Sequence, residues 1–260
     1  MSPISHVVDQ FLVRCLALNL PAGFRIDEHA HAWPQLVYAS SGVLTVGTGS
    51  GIWVVPSRRA VCVPAGVEHS VACSGATAVR TLYFHPVMCG HWEDRPRVVG
   101  VSPLLTQLVL HVLELGGLRR DDARQRRLAS VVLDQIATTR EAPLRLPMPS
   151  DERAIRIADR IMANPGDART LEGVAEGSGA SARTLARLFA EQTGMSFGQW
   201  RTQARLAHAL TRLAEGVPVQ LVATEVGYEQ PSAFIAMFKR ELGETPGRYF
   251  DDAADGSARA

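Results

Sequence analysis

The chain has 260 residues, of which 46% are hydrophobic and 20% charged, and its formal net charge at pH 7 is +1. This is the profile of an ordinary soluble globular protein with one large domain or two modest ones. With no cleavable leader and no apolar run of ~18 residues, we expect a cytoplasmic protein without a membrane partner.

The net charge and the cysteine spacing exclude few classes of function. Residues 151–250 hold 12 Lys and Arg against 12 Asp and Glu, so bulk charge neither supports nor excludes binding to nucleic acid. The four cysteines lack C-x-x-C spacing. They fit reduced, partly buried thiols better than a disulfide framework or a zinc knuckle.

Short runs rich in β-branched and aromatic residues follow one another from residue 10 to about 85. They are FLVRCLAL, QLVYAS, VLTVGTG, GIWVVP, AVCVPAG and AVRTLYFH. Gly, Pro or Ser interrupts them every ~8–12 residues, which is typical of an all-β sandwich or barrel. We therefore predict a β domain over residues 1–95.

Helical periodicity replaces the strand pattern after Pro96. SPLLTQLVLHVLELGG predicts a helix with Leu104, Leu108 and Leu115 near one stripe and Val112 beside them, and DDARQRRLASVVLDQIATTR predicts a second helix. EAPLRLPMPS contains three prolines and is interpreted as an extended linker. The predicted boundaries are residues 96–150 for the helical segment and linker, 151–250 for a helical domain and 251–260 for a disordered tail.

The helical domain contains a diverged internal repeat, in which VAEGSGASARTLARLFAEQTGMSFGQW aligns with VATEVGYEQPSAFIAMFKRELGETPGRY. The matching pairs are Ala175 and Ala223, Gly179 and Gly227, Phe189 and Phe238, Gly194 and Gly243, Gly198 and Gly247, and Trp200 and Tyr249. Each copy fits a short helix, a turn at a glycine and a longer second helix, which is a helix-turn-helix. A small helical interaction bundle is the alternative for one copy, but it leaves the repetition unexplained.

The run from about 155 to 250 resembles the DNA-binding domain of the AraC/XylS family of bacterial transcription regulators, through both copies and the connecting RLAHALTRLAEG. The resemblance implies that the second helix of each copy enters the major groove of double-stranded DNA. Carried over by position, the DNA-facing residues are Ser181, Arg183, Thr184 and Arg187 in the first copy and Gln230, Ser232, Ala233 and Ile235 in the second. Arg183 and Arg187 lie one turn apart and can reach guanine edges or phosphates. The alternative for both arginines is a solvated helix face.

A cluster of imidazoles is predicted within the β domain. Gly23, His29, His31, Gln35 and Gly42 follow G-x5-H-x-H-x3-Q-x6-G, and Pro64, Gly66 and His69 follow P-x-G-x2-H. These patterns resemble the two motifs of the cupin superfamily, small β-barrels whose motif residues meet inside the barrel. Gln35 is a departure, because metal-binding cupins usually carry Glu there.

Two interpretations of the cluster remain open. His29 and His31 point to the same side of a strand, and with His69 and Gln35 they form a donor set suited to a divalent Zn, Ni, Fe or Mn ion. The alternative is a metal-free polar patch that lines an effector pocket. His85 either lines the same cavity or ends a surface strand.

Together these features predict an α+β multidomain protein with an N-terminal cupin-like β-barrel, a helical dimerisation segment and a C-terminal all-α domain with two helix-turn-helix units. We expect a one-component transcription regulator and homodimer that responds to a small molecule or a metal, and not an enzyme. Relatives with a similar H-x-H-x3-Q-L-x-Y-x3-G stretch resemble repressors of neighbouring efflux-transporter genes, so a transporter gene is an expected target. The alternative is a metal-dependent cupin enzyme with a helical appendage, although no acid/base pair accompanies the histidines.

Overall fold

Strands dominate the first half of the chain and helices the second. The computed structural model describes residues 10–57, 59–90, 92, 94–139 and 144–250. The strands are β1 (Phe11–Leu20), β2 (Arg25–His29), β3 (Gln35–Thr48), β4 (Gly51–Pro56), β5 (Arg59–Val63), β6 (His69–Phe84), β7 (Arg97–Gly100), β8 (Leu118–Arg119) and β9 (Arg145–Pro147). The helices are α1 (Pro103–Glu114), α2 (Ala123–Thr138), α3 (Glu152–Ala163), α4 (Leu171–Ala175), α5 (Ala182–Thr193), α6 (Phe197–Ala214), α7 (Val219–Glu225) and α8 (Pro231–Leu242).

The chain divides into two units. Within the described residues, the first unit comprises 10–49 and 55–139, and the second comprises 50–54 and 144–250. The predicted tail, 251–260, and residues 141–143 of the predicted linker lie outside the described residues. None of the described helices is both long and apolar enough to cross a membrane.

The first unit is built on a curled antiparallel sheet that forms a half-barrel. Its strand order is β7-β5-β3-β6-β1-β8, and β2 also pairs with β6. The long strands β3 and β6 form its centre, from the pair Gln35 and Tyr83 to the pair Gly47 and Ser70. Helices α1 and α2 cover one face, where buried side chains of both helices join a single apolar core with those of the sheet. The predicted β character of this region is confirmed.

One strand prediction was wrong. QLVYAS and VLTVGTG, predicted as separate strands, form the single strand β3. The ladder to β6 is irregular between Ala39 and Val43, where Gly42 takes a φ of +81°. A glycine in this conformation lets the strand bulge and bend without ending, so the Ser-Ser-Gly sequence is not a turn.

The apolar stripe predicted for α1 packs on the sheet only in part, through Leu108 and Val112. The buried residues of α1 are Leu105, Val109 and Val112, whereas Leu104 and Leu115 are 53% and 45% exposed. The apolar residues of PLLTQLVLHVLE cover a wide arc of the helix, so the predicted stripe lies toward one edge of the arc that packs on the sheet.

The second unit combines six helices with a short pair of strands. In that pair β4 and β9 run antiparallel, from Gly51 opposite Pro147 to Trp53 opposite Arg145, so the predicted linker contains a strand. The indole N–H of buried Trp200 donates to the Pro147 carbonyl at 2.7 Å. Helices α3, α5 and α6 close the core around Trp200.

The internal repeat has a physical counterpart in this unit. Phe189 of α5 and Phe238 of α8 are both fully buried. Both helices end at a glycine in the left-handed conformation, Gly194 with φ +72° and Gly243 with φ +86°. The predicted helix ends are confirmed, because only glycine adopts this C-cap conformation without strain.

Candidate functional site

The first helix pair, α4 and α5, positions the first set of predicted DNA-facing residues. Ser181 caps α5, where its Oγ accepts from the Thr184 backbone N–H at 3.2 Å and lies 3.0 Å from Thr184 Oγ1. These two hydroxyls therefore fix the start of α5.

The two arginines of α5 share an exposed face. Arg187 Nη1 donates to Glu191 Oε2 at 2.7 Å in an ion pair whose side chains are 59% and 55% exposed. Arg183 is exposed and makes no side-chain hydrogen bond or ion pair within the described part of the chain. Such an exposed pair stabilises a protein by about 0–1 kcal/mol, so Arg187 can exchange Glu191 for another anion at little cost.

The second helix pair, α7 and α8, presents a less charged surface. Gln230 is the N-cap residue of α8, but its side chain makes no capping hydrogen bond. Ser232 and Ala233 are exposed, whereas Ile235 is half-buried. Sequence reasoning missed the exposed Lys239, which lies seven residues after Ser232 and so on the same side of α8.

Helix α6 is tied to the turns before α4 and after α7. Arg205 Nε donates to the Pro165 carbonyl at 2.9 Å. A side-chain carbon on Gly227 would lie 2.9 Å from both the Gly166 carbonyl oxygen and Arg205 Nη2. The turn preceding the first helix pair thus lies against the turn within the second, which fixes where the second pair can sit.

An ion pair adds to this arrangement. Arg212 of α6 donates to both carboxylate oxygens of Glu225 in α7, at 2.8 and 2.9 Å. The guanidinium lowers the pKa of Glu225, so this carboxylate stays ionised at neutral pH.

The predicted histidine cluster forms in the first unit. His29 ends β2 and lies opposite His69, the first residue of β6, and His31 lies in the loop after β2. The backbone N–H of Gly66 donates to the His31 carbonyl at 2.8 Å, so the two motifs meet. One ring nitrogen from each of the three histidines lies within 4.8 Å of the others.

Backbone carbonyls fix the tautomers of two of these rings. Nδ1–H of His29 donates to the Asp27 carbonyl at 2.8 Å, and Nδ1–H of His69 donates to the Val67 carbonyl at 2.9 Å. Each Nε2 therefore keeps its lone pair. His69 Nε2 is buried and has no hydrogen-bond partner. Burial lowers the pKa of His69 to about 4, so its ring is neutral at physiological pH.

Gln35 is buried beside the cluster and is engaged by hydrogen bonds. Its Oε1 accepts from His31 Nε2 at 2.8 Å, and its amide N–H groups donate to Thr81 Oγ1 and Tyr83 Oη at 3.0 and 2.9 Å. This leaves His31 Nδ1 as a buried nitrogen without a partner. The predicted fourth donor thus orients a histidine in this structure.

The remaining candidates lie apart from the cluster. His85 caps the 3₁₀ turn Pro86–Met88, where its Nδ1 accepts from the Val87 N–H at 3.2 Å. All four cysteines are free thiols, and burial raises the pKa of Cys89 to about 12. Cys89 therefore stays protonated and unreactive at neutral pH.

Comparison with known proteins identifies relatives. Residues 174–252 match the family model described as a helix-turn-helix domain. The transcriptional regulator NimR of Escherichia coli is 34% identical over 221 residues, which cover 85% of this chain and 81% of that protein. The regulator RipA of Corynebacterium glutamicum is 38% identical over 103 residues, 40% of this chain and 31% of that protein. The solved DNA-binding domain of AdpA in complex with a target DNA is 26% identical, with a TM-score of 0.39, and covers 43% of this chain and 100% of that one.

Proposed function

Because the chain belongs to the AraC family of helix-turn-helix transcriptional regulators, we propose that it binds promoter DNA through both helix pairs and senses a ligand or metal in its half-barrel. The two pairs then act as two helix-turn-helix units, with α5 and α8 as the recognition helices. The repeat carries the proposal, since both helices have a buried phenylalanine and end at a left-handed glycine. A helical bundle with one binding surface would not require two copies of this pattern.

The two recognition helices differ in what they offer DNA. Arg183 and Arg187 of α5 can donate paired hydrogen bonds to guanine or contact phosphates. Around Ser232 and Ala233, α8 offers small side chains that suit thymine methyl groups and close approach to the backbone. We therefore assign most of the base reading to α5 and mainly positioning contacts to α8.

Binding to labelled intergenic DNA beside the protein's own gene tests this assignment by fluorescence anisotropy. Arg183→Ala should weaken specific binding by about 1–3 kcal/mol if Arg183 reads a base. Arg25→Ala is the matched control, because Arg25 is an exposed arginine on β2, outside both helix pairs and outside the helices proposed to dimerise. If the wild type shows no salt-sensitive, sequence-specific binding, or if both variants weaken it equally, the proposal fails.

The histidine cluster suits a divalent transition metal such as Zn, Ni, Fe or Mn. The neutral rings of His29 and His69 carry their lone pair on Nε2, and His31 Nδ1 and His69 Nε2 are buried without partners. Orphaned buried nitrogens of this kind are costly unless a ligand satisfies them. We propose that the three histidines hold the ion, that Gln35 orients His31 or supplies an oxygen, and that the bound ion offers a Lewis-acidic point for an effector.

Elemental analysis of purified protein tests the metal. We expect about one equivalent of metal in the wild type and none in His69→Ala. His111→Ala, which changes an exposed side chain of α1, should keep the metal. A chelator should lower the melting temperature of the wild type and of His111→Ala, but not that of His69→Ala. Metal-free wild type, or equal content in all three proteins, would refute the site.

Helices α1 and α2 carry exposed apolar side chains at or near their ends and along their surface, namely Leu104, Leu115 and Val131. We propose that these helices form a homodimer, so Leu104→Glu should yield monomers in light scattering.

An adjacent transporter gene is the proposed target, to be tested by transcript levels after gene deletion. The relatives are transcriptional regulators, which favours regulation over the alternative of a metal-dependent cupin enzyme.

A further inference from the structure

A pocket of about 440 Å³ lies on the face of the half-barrel sheet that α1 covers. Its lining includes Asn19, Tyr38, Ser41, Arg80, Thr106 and Leu110, and we name it the Arg80 pocket. Volumes of about 300–1,000 Å³ are usual for small-molecule sites.

The Arg80 pocket is distinct from the histidine cluster. Tyr38 and Arg80 are paired across β3 and β6. Successive side chains of a strand point to opposite faces, so these two point away from the face that carries Gln35 and Thr81. Ligands of the two sites therefore approach opposite sides of one sheet.

An irregularity in β3 shapes the pocket. The ladder to β6 shifts register twice between Ala39 and Val43. At the bend, a side-chain carbon on Gly42 would lie 2.5 Å from Thr77 Oγ1 and 2.7 Å from the Ala76 carbonyl. Such bulges redirect side chains and are common beside binding sites.

The charge in the pocket is unbalanced. Half-buried Arg80 donates through Nη1 to the Leu18 and Val79 carbonyls and to Asn19 Oδ1, at 3.3, 2.9 and 3.2 Å. All three acceptors are neutral, and none of the lining residues is Asp or Glu. Nε and Nη2 of Arg80 make no hydrogen bond within the described residues, so the guanidinium keeps its positive charge and two sets of donors.

The other walls supply both polar and apolar contacts. Tyr38 is only 4% exposed, yet its hydroxyl makes no hydrogen bond to the described residues and is not sealed from solvent. Because this hydroxyl has no partner among the described residues and is open to solvent, it can donate a hydrogen bond to a ligand in the pocket. Leu110 of α1 and Leu20 of β1 add apolar surface.

We propose that the Arg80 pocket binds a small organic monocarboxylate with an apolar or aromatic body. Its carboxylate would pair with Arg80 and accept from Tyr38, because a charge-assisted bond from guanidinium is the strongest contact the pocket offers. Its body would lie against Leu110, so that a bound acid joins the sheet to α1. Only the consequence for DNA binding depends on the proposed function.

Isothermal titration of the full chain without DNA tests the pocket, with benzoate as the probe and uncharged benzamide as its matched analogue. We expect saturable binding of benzoate and at least tenfold weaker binding of benzamide. Arg80→Gln should weaken benzoate binding at least tenfold, whereas Arg25→Gln, an exposed arginine on β2, should leave it unchanged.

A second variant tests the pocket independently, in case Arg80→Gln fails to fold. Thr106→Phe fills the pocket from the surface of α1 and leaves the Arg80 hydrogen bonds intact, so it should abolish binding while circular dichroism stays native. Absence of benzoate binding at millimolar concentration, equal binding of benzamide, or binding retained in either variant would overturn the proposal. DNA binding without benzoate binding refutes only this inference, and the reverse result refutes only the proposed function.

Discussion

Replacing Gly227 by alanine would place a methyl group between two turns of the helical unit. Gly227 has a φ of +80°, and its new Cβ would lie 2.9 Å from the Gly166 carbonyl oxygen and from Arg205 Nη2. The repeat supplies a matched control in Gly179, which has a φ of +77° and no atom within 4 Å of the equivalent Cβ. The two substitutions share a backbone cost and differ in the contact.

The magnitudes follow from these two terms. A left-handed conformation costs a non-glycine residue about 1–2 kcal/mol, which is the loss in folding free energy expected for Gly179→Ala. Overpacking a fixed contact adds about 1–3 kcal/mol, so Gly227→Ala should lose about 2–5 kcal/mol. The backbone atoms of Gly166 cannot rotate away as a side chain can. The two turns must therefore move apart to accept the methyl group, and this movement is the source of the added loss in folding free energy.

Urea unfolding followed by far-UV circular dichroism measures both losses, because the helices dominate the signal and both sites lie in the same unit. Gly227→Ala should also weaken DNA binding more than Gly179→Ala, since it displaces the turn that leads into α8. Equal losses of stability in the two variants would show that the turns are not in fixed contact, and the reasoning would fail.

Four further substitutions test the packing and capping of the helices, each by thermal or urea unfolding. Leu105→Ala removes a fully buried side chain and should cost about 2–5 kcal/mol, whereas Gln107→Ala, at an exposed site of the same helix, should change stability by less than about 0.5 kcal/mol; similar losses would contradict the observed face of α1. Trp200→Phe removes the donor to Pro147 and should cost about 1–2 kcal/mol, and an unchanged melting temperature would refute the bond's contribution. Ser196→Ala breaks the capping box of α6 and should cost about 1 kcal/mol, an expectation that a native-like melting temperature would contradict.

The ends of the helices were predictable because their causes are local. Gly194 and Gly243 end α5 and α8 through a conformation that few other residues adopt, and Ser181 caps α5 through its own backbone neighbours. Because these helix-end residues occur in both copies of the repeat, the weaker pattern in one copy was supported by the other.

Features that depend on tertiary packing were less predictable. Which part of the wide apolar arc of α1 is fully buried depends on the shape of the sheet, which the helix sequence does not reveal. The convergence of His29, His31 and His69 followed from motif spacing, but the hydrogen bonds of Gln35 to Thr81 and Tyr83 join residues 46 and 48 positions apart. The Arg80 pocket left no motif, because neither Tyr38 nor Arg80 stands out within an ordinary strand.

The pairing of β4 with β9 has a consequence for how the chain folds. Arg145 Nη2 donates to the Ser50 carbonyl, 95 positions earlier in the chain. Closing a loop of that length costs about 4 kcal/mol of entropy before these strands gain any contact. The helical unit therefore needs residues 50–54 as well as the continuous segment after residue 143. A fragment that begins after residue 143 would leave β9 as an unpaired edge strand. During synthesis, almost a hundred residues are added after residues 50–54 before β9 exists, which makes this short ladder a late, non-local step of folding.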